Sequence, residues 1–115
     1  MTLQIKRIYE PAAEEDGTRI LVDRLWPRGV SKEEAHIDFW LKDIAPSAEL
    51  RRWFGHDPDK WDAFRQRYLA ELQSNPTAVD ELRRKIGGST ATLLYGAKDT
   101  EHNNAVVLRD FIGSP

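Results

Sequence analysis

The spacing of apolar residues changes along the chain, and that change alone divides it into strands and helices. Leu3, Ile5 and Ile8 interleave with Gln4, Lys6 and Arg7 and stop at Tyr9-Glu10-Pro11, which predicts a short half-buried strand. Residues 10–17 are a polar connection ending in the turn signal Asp16-Gly17. Arg19-Ile20-Leu21-Val22 is β-branched and apolar on both faces, as a strand covered on both sides requires, so the sheet is expected to centre on a strand at 19–25. That strand runs out in Asp23-Arg24-Leu25-Trp26-Pro27-Arg28-Gly29, where Pro27 lacks a ladder donor and Gly29 permits a sharp turn.

Ser31-Lys32-Glu33-Glu34 is a capping box and predicts a short helical turn. Residues 36–46 fit either a brief strand or an irregular packed segment. From Pro46-Ser47 the period becomes helical, with Leu50, Trp53 and Phe54 on one stripe before Gly55-His56-Asp57-Pro58 breaks it. A longer helix is predicted from about Pro58 to Ser74. Its Trp61, Phe64, Tyr68, Leu69 and Leu72 form the face that packs on the sheet. A third helix starts at Asn75-Pro76-Thr77, carries Val79, Leu82 and Ile86, and ends at Gly87-Gly88. Thr90–Tyr95 reads as a second buried strand, residues 96–104 as a polar loop, and Ala105–Ile112 as a closing helix.

Alternation of strands with helices predicts an α/β fold: one small domain over residues 1–115, a mainly parallel sheet with packed helices. At 115 residues the chain holds one core, and its four Trp, four Phe and three Tyr are enough to fill it. Seventeen basic residues against 19 acidic ones give a net charge of −2, which disfavours broad nucleic-acid binding while leaving room for a local basic cluster. The absence of cysteine excludes disulfides, thiolate nucleophiles and Cys-ligated metals. No apolar run approaches the ~20 residues needed to span a bilayer, and the first residues lack the apolar core of a signal peptide. A cytoplasmic location without membrane attachment is the expectation.

Chemistry concentrates in the loops after strands 19–25 and 90–95. In open α/β sheets ligands bind beyond the carboxyl ends of the strands. If these two strands are parallel neighbours, Asp23, Arg24, Arg28, Lys98, Asp99, Glu101, His102 and Asn103 share one rim. Arg24 and Arg28 flank Trp26 and offer two planar forks to a carboxylate or phosphate. Asp23-Arg24 reads equally as an ion pair closing a strand end, and Trp26 as core packing or as a stacking platform. In the second loop Gly96 allows close approach and Lys98 supplies a charge. The helix start near 100–103 offers N–H groups to an anion. His102, beside Asp99 and Glu101, suits proton transfer near neutral pH, or a helix cap. One His with two carboxylates lacks the spacing of a metal site. No Walker, GxGxxG or GxSxG pattern occurs, so no cofactor is called for.

Four phrases, Arg19–Gly29, Trp40–Ser47, Trp53–Pro58 and Leu93–Ala105, together resemble the YeaO-like branch of domain-of-unknown-function family 488 across nearly the whole chain. The resemblance implies a small bacterial α/β domain and singles out His56 and Asp57 beside the rim residues. Distant relatives carry a Cys-His-Arg-like signature where this chain has Glu101-His102-Asn103, so only the histidine matches. The functional expectation is a domain that binds or acts on a small anionic molecule, phosphorylated or nucleotide-like. Arg24, Trp26, Arg28, Lys98 and Asn103 would hold it, and His102, Asp23 and Asp99 would do the chemistry. The alternative is a non-catalytic protein–protein interaction module presenting Trp40, Trp53 and the Gly55–Pro58 turn.

Overall fold

The structure is a computed structural model, and it describes residues 2–113. Strands β1 (Thr2–Arg7), β2 (Thr18–Leu21), β3 (Phe39–Trp40) and β4 (Thr90–Tyr95) form one sheet in the order β1-β4-β2-β3, with every neighbouring pair parallel. The expected α/β class is therefore observed. Parallel neighbours need crossovers rather than hairpins. Helix α1 (Lys32–Ala35) lies between β2 and β3. Helices α2 (Ala48–Phe54), α3 (Trp61–Gln73) and α4 (Pro76–Ile86) lie between β3 and β4, and α5 (Asn104–Gly113) follows β4.

Side chains alternate across the sheet and build two unequal cores. Ile20, Ala91, Leu93 and Tyr95 enter the larger one, where Phe64, Tyr68 and Leu72 of α3, Val79, Leu82 and Ile86 of α4, and Leu108 and Ile112 of α5 meet them. Leu21 and Leu94 enter the smaller one with Ile8 and Ala35, bordered by Trp26, Val30, Ile37 and Trp40. The rest of the second face is ionic. Buried Arg19 pairs with Asp16 and donates to the carbonyls of His36 and Ala35 at 3.0 and 2.9 Å. Lys6 Nζ lies 3.1 Å from Asp16 Oδ1, and Thr92 Oγ1 donates to the Asp16 carbonyl at 2.7 Å. Burial raises the pKa of Asp16, but the Ala13 N–H and the two cations outweigh it and hold the carboxyl below its ordinary value. A hydrogen-bonded charge cluster thus stands where apolar packing would otherwise close that face.

The second strand ends at Leu21 rather than continuing to residue 25. Val22 N–H still donates to the Leu94 carbonyl at 3.1 Å, but the next ladder position is lost because the Asp23 side chain takes the Gly96 N–H at 2.8 Å. Residues 36–46 hold both readings in sequence, a two-residue edge strand and then a 3₁₀ turn at Lys42–Ile44. Local signals hold elsewhere. Glu34 N–H donates to Ser31 Oγ at 3.1 Å, with the reciprocal bond at 3.2 Å, and Ser47 Oγ caps α2 by accepting from Leu50 N–H. Pro58–Lys60 is a 3₁₀ turn that leads into α3. Among the described residues no helix is long and apolar enough to cross a membrane.

Candidate functional site

Because β2 and β4 are parallel neighbours with Leu21 opposite Leu94, the chain leaves both strands at the same edge of the sheet. The loops that follow them, with the end of α2 and the Gly55-His56 turn, surround a cavity of about 350 Å³. Of the rim residues singled out by sequence, Asp23, Arg24, Trp26, Arg28, His102 and Asn103 line it, so Arg24 and His102 do share one site. Lys98 is exposed and lies outside the lining, and Asp99 lies outside it too, bonded to the lining residues His102 and Asn103. Arg51, Phe54, His56 and Phe64 belong to the wall as well.

Asp23 does not pair with Arg24. Its Oδ2 accepts from Gly96 N–H at 2.8 Å and its Oδ1 from Asn104 Nδ2 at 3.1 Å, while the same Asn104 nitrogen donates to the Val22 carbonyl at 3.0 Å. Burial pushes the Asp23 carboxyl above its ordinary pKa, against the pull of these two donors and of nearby Arg51 and His56.

The second loop is organised by Asp99. Its Oδ1 accepts from the backbone N–H groups of Glu101 and His102 at 2.9 and 3.0 Å, and its Oδ2 lies 2.9 Å from His102 Nδ1. These bonds hold Asp99 below its ordinary pKa, the Glu101 N–H contributing most. The His102 ring stands edge-on to Trp61 at 5.2 Å. Buried Asn103 accepts from Val106 N–H at 3.1 Å and donates to the Asp99 carbonyl at 2.9 Å. The N–H groups that the sequence offered to an anion around 100–103 are therefore occupied in part by the protein's own side chains, and α5 begins only at Asn104.

The arginines of the cavity form no close ion pair. Among the described residues no carboxylate lies within 4.0 Å of a guanidinium nitrogen of Arg24, Arg28 or Arg51. Arg24 makes one long hydrogen bond, from Nη2 to the Ala45 carbonyl at 3.4 Å, and its Nε is buried without a partner. Trp26 packs as a core residue, with Nε1 donating to the Val30 carbonyl at 2.7 Å and the ring meeting Trp40 edge-on at 5.3 Å, and it also lines the cavity. Trp40 and Trp53 do not share a patch, since Trp40 borders the smaller core beneath Lys42 and Trp53 the larger one beneath Arg67.

Arg51 carried no signal in the sequence, because it falls off the apolar stripe of a short helix. His56 carried a partial one, since the resemblance marks it and it sits in a helix-breaking turn. Its backbone is left-handed, with φ of 57° directly after Gly55 at 55°, and that turn brings the ring to the cavity.

Known proteins resemble this chain over nearly its whole length. The chain is 46% identical over 114 residues to the uncharacterized protein YeaO of Escherichia coli strain K12, covering 99% of both chains. It is 38% identical over 110 residues to uncharacterized proteins of Mycobacterium bovis and Mycobacterium tuberculosis, covering 96% of this chain and 92% of theirs. No solved structure matches it. A family model described as the inactive DUF488-N3 subclade matches residues 2–115, and with these relatives it establishes that the chain belongs to that family.

Proposed function

We propose that this domain binds a small anionic molecule, phosphorylated or nucleotide-like, in the cavity beyond the carboxyl ends of β2 and β4. The observation that carries this reading is the set of three arginines, Arg24, Arg28 and Arg51, facing one cavity with no carboxylate paired to any of them among the described residues. A chain with 19 acidic residues has ample means to neutralise three guanidinium groups; Arg28 is exposed, but Arg24 and Arg51 are partly buried, and a partly desolvated cation left unpaired is costly unless something else balances it. A phosphate oxygen accepts from such forks bidentately. His102, with Nδ1 held by the Asp99 carboxylate, lines the same wall. The family's description as inactive and the lack of any cysteine favour binding over turnover.

Titration calorimetry and thermal unfolding with phosphate, pyrophosphate and a mononucleotide at low salt test the proposal. A ligand at one hundred times its Kd adds about 2.7 kcal/mol to the unfolding free energy and raises Tm by several degrees. Arg24→Ala and Arg28→Ala are expected to abolish the shift, whereas Arg65→Ala, on the exposed side of α3, retains it. Loss in all three variants would reduce the effect to diffuse charge. An unmoved Tm with every anion would remove the proposal.

A further inference from the structure

Anion binding accounts for the arginines but gives no ligand role to Asp23, whose carboxyl also ends β2. It is the one carboxylate among the residues lining the cavity, and a carboxylate facing a bound anion repels it. Its position is nonetheless fixed. Gly96 N–H and Asn104 Nδ2 take one lone-pair direction on each oxygen, and Asn104 is itself anchored to the Val22 carbonyl. Gly96 makes the approach close, since a Cβ there would stand 3.3 Å from Asp23 Oδ2. One further acceptor direction remains on each oxygen. The rest of the wall is mainly apolar, with the Phe54 and Phe64 rings stacked at 4.2 Å beside Pro27 and Pro46. A volume of about 350 Å³ is far larger than an inorganic phosphate needs and suits a ligand with a ring.

We infer that the cavity is built for a bipartite ligand, an anionic group held by the arginines joined to a flat ring whose N–H or O–H groups donate to Asp23, and that a nucleoside monophosphate is the class that fits. This inference rests on the anion-binding reading of the same cavity and adds what else the ligand carries. The arginines then set attraction for the phosphate. Asp23 sets selection, because a donor satisfied by a fixed carboxylate discriminates strongly against a ligand that lacks it.

Calorimetry of the full chain at low salt with orthophosphate, ribose 5-phosphate and the 5′-monophosphates of adenosine, cytidine, guanosine and uridine separates the two claims. At least one nucleotide is expected to bind about tenfold or more tighter than ribose 5-phosphate, and Asp23→Asn to bring that ratio down to about twofold. If the variant does not fold, the ratio in the native protein decides alone. Should ribose 5-phosphate or orthophosphate bind as tightly as every nucleotide while still depending on Arg24, the bipartite reading is overturned and the anion site stands. Binding of none of them overturns both.

Discussion

Asp16 and Gly17 adjoin in the chain and impose two different constraints on it. Gly17 has φ of +64°, and a Cβ there would lie 2.1 Å from the Thr90 carbonyl oxygen at the start of β4. Gly29 also has a positive φ, +75°, but its surroundings are open. Gly17→Ala is therefore expected to cost about 3 kcal/mol or more, and Gly29→Ala about 1–2 kcal/mol from backbone conformation alone, as urea unfolding would measure. Asp16 compensates two cations, one of them the buried Arg19. Replacing it with Asn strands that charge and is expected to cost about 3–5 kcal/mol at neutral pH. Because the folded state lowers the Asp16 pKa, its contribution is present above the unfolded value and disappears as pH falls through the lower folded one. The acid limb of stability should accordingly be shallower in Asp16→Asn than in the native protein. Asp23 has the opposite sign: its folded pKa is raised, so its contribution is complete below the unfolded value and is lost as pH rises through the folded one.

At the scale of elements, the stripe on α3 divides where the site begins. Phe64, Tyr68 and Leu72 are buried in the larger core, whereas Trp61 is half-buried and spans the core ring Phe64, at 5.8 Å, and the site residue His102. Phe64→Ala is expected to cost about 3–5 kcal/mol and Trp61→Ala less, about 1–3 kcal/mol, with anion binding weakened only where His102 loses its support. Chemical denaturation paired with calorimetry would show the divergence. The helix stripe, the Ser31 cap and the apolar β2 and β4 were legible because each signal lies within a few residues. The end of β2 was not, because it depends on Asp23 meeting Gly96, 73 residues away. Arg19 likewise read only as a strand residue, since its partners come from the connection before β2 and from α1. At the site, the meeting of the two loops followed from the parallel-sheet expectation. The arginine ring did not, since Arg51 comes from a third element. Nor did the use of loop N–H groups by Asp99, which requires knowing how the loop closes.

At the scale of the molecule, the sheet joins the two ends of the sequence. Thr2 pairs with Thr90 at the start of the β1–β4 ladder, and α5 packs into the larger core formed on β4 and β2. Closing so long a loop is unfavourable until the contacts it permits are made, so no early piece of the chain can complete a sheet alone. The radius of gyration, 13.3 Å, is that of a single globular unit of this length. The four tryptophans test whether its two faces are coupled, because Trp26 and Trp40 border the smaller core and Trp53 and Trp61 the larger. β2 and β4 supply side chains to both cores, so losing one strips the sheet of cover and the other should fail with it. Variants with either pair changed to Phe, followed by fluorescence in urea, are expected to give midpoints that agree with far-UV circular dichroism of the same variant. A fluorescence transition that precedes the loss of helix in only one of them would show the ionic face opening separately from the helical one.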